Sequence, residues 1–244
     1  MLRNLSYSAL LLLAALLAGP LRSAGEGAAA QQDARSADPI SIPCVPGKPF
    51  SATAVLETER YWSDGATEVR RTISLEARDS QGRTRNEVRR LMPEYFHGSP
   101  QLLSVRLFDP ITGVRTDLDP GFHVARQQLI PKEPKTARTP DPAPRLEDLG
   151  KTTMNGLEAK GTRRTTTIAA KASGTGDPVE IEDEFWYSDE LDLNLLVRHS
   201  DPRAGVDTVG LSNLKRDEPP AGLFQIPAGY QVINVSPASE PRER

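Results

Sequence analysis

An all-β or β-dominated fold, built as an antiparallel meander with few short helices, is what this sequence predicts, and three observations predict it. The first is alternation at a period of two. It is cleanest where Val69, Arg71, Ile73, Leu75 and Ala77 share one face and Glu68, Arg70, Thr72, Ser74 and Glu76 the other, which is the pattern of a half-buried strand. The second is the recurrence of turn signals between such runs: Asp64-Gly65, Gln81-Gly82, Asp109-Pro110-Ile111-Thr112-Gly113, Asp119-Pro120-Gly121, Asn155-Gly156 and Asp201-Pro202-Arg203-Ala204-Gly205. The third is the spacing of proline and glycine after residue 50, which leaves no room for a helix much beyond about three turns. Strands at regular intervals with tight turns read as a meander, not as βαβ units.

The chain begins with the three parts of an export signal. Met1-Leu2-Arg3-Asn4 carries a positive charge, Leu10–Ala18 is unbroken apolar sequence, and Gly19-Pro20 ends it. Small residues at Ser23-Ala24-Gly25 and Ala28-Ala29-Ala30 are both candidate cleavage points, and residues 1–30 are read as a signal peptide. The apolar run is shorter than the ~20 residues that span a bilayer, so no stable membrane span is expected after cleavage. Residues 31–49 lack periodicity and carry Pro43, Pro46 and Pro49; they are expected to form a flexible lead.

From residue 50 to 236 a single β-rich domain is expected. Ser51–Tyr61 is a strand closed by Ser63-Asp64-Gly65, and glycine in such a turn accepts positive φ without steric cost. The alternating run returns, and Arg78–Arg83 turns the chain again, with Gly82 as the positive-φ residue. Thr84–Leu91 pairs back, followed by a strand carrying Leu103, Val105 and Leu107 and its return over Val114–Leu118. Pro131–Pro144 holds five prolines and reads as a long extended loop within one sheet. Around Arg145–Leu149 lies the best candidate for a short helix. Beyond it, antiparallel strands are expected at Leu157–Ala170, Val179–Tyr187, Leu195–His199, Val206–Lys215 and Tyr230–Val235, with a tail over 237–244.

Composition excludes several classes of function. Thirty basic residues face 33 acidic ones, and a net charge of −3 offers no field for nucleic acid. The single cysteine, Cys44, rules out an intrachain disulfide and reads as a small apolar residue near the start of the fold. No glycine-rich phosphate loop, metalloprotease motif, paired cysteine motif or nucleophile elbow is present. His97, His123 and His199 are far apart, with no ligand spacing for zinc. His199, Ser200 and Asp201 are neighbours on a strand and point to alternate faces, so they cannot act as a unit there. No catalytic residue, metal ligand or cofactor is therefore assigned.

Two features remain as site candidates. Trp62, Phe185, Trp186 and Tyr187 are the aromatics that qualify to line an apolar cavity. Glu180, Glu182, Asp183 and Glu184 form an acidic strand, read chiefly as a face opposed by Arg163 and Arg164 across a hairpin. The alternative is a hydrolase acting on envelope material through Asp183 and Glu184.

Several motifs add up to a resemblance. They include Arg78–Glu87, Asp109-Pro110-Ile111-Thr112-Gly113, Glu147-Asp148-Leu149-Gly150, Gly156–Arg163 and Phe185-Trp186-Tyr187-Ser188. The chain then carries Asp201-Pro202-Arg203, Leu211-Ser212-Asn213-Leu214 and Leu223–Tyr230. In that order the chain resembles a family of uncharacterised exported proteins abundant in Acidobacteria and similar soil bacteria. Its Leu-Phe-x-x-Pro-x-Gly ending is similar, more distantly, to the last strands of periplasmic lipoprotein carriers of the LolA and LolB type. That resemblance implies a single curved antiparallel sheet, an open half-barrel, although the long helices that cover the cavity in those carriers are missing here. The functional expectation is a periplasmic or secreted protein that binds an apolar ligand in a concave sheet, with a lipid, a lipoprotein or another envelope protein as partner. A structural interaction module that pairs through an edge strand is the further alternative.

Overall fold

The computed structural model describes residues 40–131 and 143–235. The signal peptide (1–30), the first part of the lead (31–39), most of the Pro131–Pro144 loop and the tail (237–244) lie outside the described residues. The rest is one open, curved β-sheet of thirteen strands. In chain order these are β1 (Phe50–Tyr61), β2 (Thr67–Arg78), β3 (Thr84–Arg89), β4 (Met92–Pro93), β5 (Leu102–Asp109), β6 (Val114–Asp119) and β7 (Val124–Leu129). Then come β8 (Arg145–Met154), β9 (Leu157–Ile168), β10 (Val179–Ser188), β11 (Leu193–Asp201), β12 (Gly205–Lys215) and β13 (Gln231–Asn234). The helical elements among the described residues are a single turn, α1 (Ala170–Ser173), and a 3-10 turn over Ala221–Phe224.

Strand order across the sheet is β13-β7-β6-β5-β3-β2-β1-β12-β11-β10-β9-β8, with β4 set against β2. β1 is therefore central. One half of the chain meanders outward from it, β8 starts again at the far edge, and the second half meanders back until β12 closes on β1, with Ala54 opposite Leu211 and Leu56 opposite Val209. The turn before β12 depends on Gly205, whose φ is +128° and whose absent Cβ would stand 1.9 Å from the Glu59 carbonyl oxygen.

Three local outcomes differ from the sequence expectation. Arg145–Leu149 is not helical. It opens β8, paired with β9 from Arg145–Thr165 to Met154–Leu157, with a bulge where Asp148 Oδ1 accepts the Gly150 N–H at 2.8 Å. The last strand is not antiparallel. β13 runs parallel to β7, because the chain crosses from β12 to the opposite edge before pairing. Finally, the alternation in β2 is a strand, but its more apolar face is not the better buried one. Thr72, Glu76 and Arg78 are at most 5% exposed while Ile73 is 45% exposed. The reason is register: Arg78, Glu76 and Ser74 lie opposite Phe50, Ala52 and Ala54 of β1, and this shared face is the one the rest of the chain covers.

The cover differs between the halves. In the C-terminal half the sheet curls until the β8–β9 turn reaches β12, where Asn155 Nδ2 donates to the Leu211 carbonyl at 2.8 Å. The curl is filled by Leu157, Ala159, Leu191, Leu193, Leu195, Val209 and Leu211, packed with Phe50 and Ala52. Ile40 and Ile42, within the segment expected as a lead, are buried in the same cluster at 3% and 9% exposure. The N-terminal half has a smaller apolar cluster of Val105, Leu107, Leu118 and Ala125.

Candidate functional site

A hollow opens in the N-terminal half where residues 40–44 pass over the sheet. Register decides which side chains face it. Thr84 of β3 lies opposite Phe108 of β5, which lies opposite Arg115 of β6. One row along, Asn86 lies opposite Arg106, which lies opposite Asp117. The resulting hollow has a volume of about 410 Å³. Ile40, Ile42, Phe108 and Ile130 supply its apolar lining, and Thr84, Asn86, Arg106, Arg115 and Cys44 its polar lining.

Arg78 fastens the cover. Its side chain is fully buried, its guanidinium lies 5.2 Å from the Phe50 ring centroid, and it donates to the carbonyls of Pro43 (2.8 Å), Lys48 (2.9 Å) and Leu191. A segment without regular structure has carbonyls that need donors once buried. A planar cation with five N–H groups can satisfy several at once. One guanidinium thus ties residues 43–48 to the β10–β11 turn. Asp79 orders the adjacent β2–β3 turn by accepting the N–H groups of Gln81 (3.0 Å) and Arg83 (2.8 Å).

Beside the hollow, on β2 opposite the lining residue Asn86, sits Glu76, with no exposed surface. Ser74 Oγ lies 3.2 Å from one carboxyl oxygen, and Asn86 Nδ2 donates to the other at 2.6 Å. Burial pushes its pKa up to about 8, with nearby Glu87 adding to the rise and the hydrogen bonds to Ser74 and Asn86 opposing it. Glu87 shows the contrary outcome. Burial works to raise it, but hydrogen bonds from Arg85 and Arg89 hold it below the usual carboxylate value. Burial also raises the Cys44 thiol, against a hydrogen bond from Thr84 and the charge of Arg78, and so keeps it a protonated, poorly nucleophilic group.

The aromatics singled out from the sequence are not brought together. Trp62 stands at the β1–β2 turn, 56% exposed. Phe185 and Tyr187 fall on one face of β10 and Trp186 on the other. The Arg164 guanidinium lies 5.4 Å from the Phe185 ring, and Tyr187 donates to Asp192 at 2.8 Å. Trp186 crosses β9 at Gly161, where an added Cβ would come within 2.8 Å of both its ring and Leu149, and its Nε1 donates to Glu184 at 2.6 Å. None of the four lines the hollow beneath residues 40–44.

The acidic strand resolves into ion pairs. Asp183 accepts from Arg164 at 2.8 Å and lies 2.7 Å from His199 Nδ1, while Glu184 lies 3.6 Å from Arg163. The arginines are the two expected across the hairpin. Asp183 and Glu184 face opposite sides of β10, so they are not the converging carboxyl pair that glycoside hydrolysis requires. Among the described residues no group of three or more His, Cys, Asp or Glu is placed to hold a metal ion. A larger hollow of about 520 Å³ lies on the β8–β9 hairpin, but Glu147, Asp148, Lys151 and Lys160 dominate its lining and Leu146 is its one large apolar side chain.

Sequence reasoning missed Glu76, Arg78 and Asn86. The available signal was two charged residues two apart on one strand, on the face opposite the alternating apolar residues.

No family model matches the chain, and no curated protein matches it. Solved structures similar to it include an uncharacterized conserved protein from Thermus thermophilus, 14% identical over 78% of this chain and 91% of that one, with a TM-score of 0.38. MucB of Pseudomonas aeruginosa, in its complex with MucA, is 16% identical over 77% of this chain with a TM-score of 0.39; the match spans 59% of that chain. A LolA superfamily protein from Nitrosomonas europaea is 11% identical over 74% of this chain and 91% of that one, with a TM-score of 0.30. Among the described residues no helix is long and apolar enough to cross a membrane.

Proposed function

We propose that the chain is an exported binding protein that holds the apolar part of a small molecule in the hollow beneath residues 40–44. The observation that carries this reading is the hollow: about 410 Å³, with Ile40, Ile42, Phe108 and Ile130 on its lining and polar groups at defined places. That volume falls within the ~300–1,000 Å³ of small-molecule sites, and apolar ligand surface removed from water there contributes roughly 25 cal/mol per Å². The signal-peptide pattern of residues 1–30 supports a periplasmic or secreted location, where lipids and lipoproteins are the available apolar cargo. The ion-paired state of Asp183 and Glu184 favours binding over hydrolysis.

Native mass spectrometry of the protein purified from an exported fraction without detergent tests the reading. A reproducible mass increment, released as lipid by organic solvent, is expected. Phe108→Asp is expected to lower affinity for a fluorescent acyl probe at least about tenfold, as befits the loss of an aromatic wall. A bare mass together with no uptake of the probe would overturn the proposal.

A further inference from the structure

We infer that the hollow selects an amphiphile whose head carries a single negative charge, such as a long-chain carboxylate, and that Arg106 and Arg115 receive that head. The inference rests on the binding role proposed above and names the chemistry of the ligand. It begins with an imbalance of charge. Asp117 stands between the two guanidiniums: Oδ1 accepts from Arg106 Nε at 3.3 Å, and Oδ2 lies 3.0 Å from Arg115 Nε. One carboxylate thus serves two cations. Arg115 Nη2 donates to the neutral Gln128 at 3.0 Å. Arg115 Nε is buried and, despite its proximity to Asp117, has no aligned hydrogen bond among the described residues. A guanidinium offers five N–H donors in a planar fork suited to carboxylate oxygens.

Glu76 is the other acid tied to this site, through Asn86. Ser74 and Arg78 accompany it on its own strand face, Asn86 meets it from β3, Ala52 lies opposite it on β1, and Glu87 and Arg85 stand nearby on β3. Its burial keeps it protonated near neutral pH, so it does not cancel the excess of one positive charge at the arginines. The apolar groups at the same hollow, Ile40, Ile42, Phe108 and Ile130, complete the requirement for an acyl chain joined to an anion. The arginine side chains keep 53% and 37% of their surface exposed. Solvent therefore screens the attraction, and the selectivity is moderate and sensitive to salt.

The test titrates the full chain with laurate, dodecanol and dodecylsulfonate, below the concentrations at which they aggregate, following displacement of a neutral fluorescent acyl probe. At neutral pH and low salt, laurate and dodecylsulfonate are expected to bind about tenfold more tightly than dodecanol, the scale of a charge-assisted hydrogen bond. Arg106→Gln combined with Arg115→Gln is expected to remove that preference, so that laurate, dodecylsulfonate and dodecanol bind alike. Dodecylsulfonate keeps its charge at all working pH values, so a loss of its affinity as pH rises through about 8 reports Glu76 and not the Cys44 thiol of the same hollow, which burial raises above its ordinary value; Glu76→Gln is expected to abolish that loss. Equal binding of anion and alcohol by the unaltered protein, or an anion preference that survives the double substitution, would overturn the assignment of the head group and leave the hollow as an apolar site. Failure of all three probes to bind would overturn the binding role itself, and this inference with it.

Discussion

Leu157, Ala159, Leu191, Leu193 and Leu195 fill the curl of β8–β12, whereas β2, β3 and the turn between them bury Thr72, Glu76, Arg78, Asp79 and Thr84. The two halves are joined by the same central strand and have similar turn chemistry. What separates them is the covering element. The C-terminal half folds over itself, so sheet covers sheet, backbone polar groups are already paired in ladders, and aliphatic side chains suffice. In the N-terminal half the apolar cluster of Val105, Leu107, Leu118 and Ala125 lies on the face away from the hollow, against Ile226 and Tyr230; the hollow's face is covered by residues 40–49, which form no ladder and also send Ile40 and Ile42 into the C-terminal cluster. Their buried carbonyls need donors from side chains, and Arg78 supplies them. The hollow lies beneath the described part of that cover, residues 40–44. A polar interior in this protein therefore marks the place where irregular backbone replaces sheet as the lid.

The largest effect that would break this comparison comes from the fastening residue. Arg78→Met should destabilise the protein by about 3–5 kcal/mol in denaturant unfolding, because buried carbonyls lose charged donors worth roughly 1.5–3 kcal/mol each. A loss below about 1 kcal/mol would mean that the cover is held by something else.

Next, the two apolar clusters should respond unequally. Leu193→Ala, in the filled curl, should cost about 3–5 kcal/mol, and Leu118→Ala, in the smaller cluster, about 2–3 kcal/mol. Equal losses would remove the distinction between a closed and an open half.

A smaller effect, dependent on pH, sharpens the polar side of the contrast. The folded pKa of Glu76, about 8, lies above its unfolded value near 4.5. The folded state therefore binds the proton more tightly, and stability falls as pH rises between those values. Glu76→Gln should leave unfolding free energy nearly unchanged at pH 4 and raise it by about 1–3 kcal/mol above pH 8. Parallel pH profiles for the two proteins would count against a buried, protonated Glu76. The smallest effect belongs to the exposed ion pairs. Glu57→Gln, which breaks the contact with Arg71, should change stability by less than about 1 kcal/mol.

Much of the architecture was legible before the structure. Turn residues placed the hairpins, and the strand over 67–78 matched its alternation. The arginines opposite Asp183 and Glu184 also followed from hairpin pairing. The site was not legible, and the reason is visible in β2. Periodicity names two faces but does not say which is buried. Ile73 and Glu76 exchange their expected environments because a distant segment covers the charged face. The aromatics of β10 drew attention by type, yet register divides Phe185 and Tyr187 from Trp186. Likewise the segment Arg145–Leu149 carries no strong local preference, and pairing with β9 makes it a strand.

By itself the sequence determined the β class, the tight turns and the absence of the common catalytic motifs, since these depend on local φ/ψ preference and on spacing along the chain; β7 (Val124–Leu129) and β8 (Arg145–Met154) were not among the strands it marked. Only the tertiary structure decided the central place of β1, the parallel pairing of β13, the burial of Ile40 and Ile42, the contact of Glu76 with Asn86, and the meeting of Asn86, Arg106 and Arg115 around one hollow. Those outcomes depend on contacts between residues far apart in the chain. No local pattern along the chain encodes them.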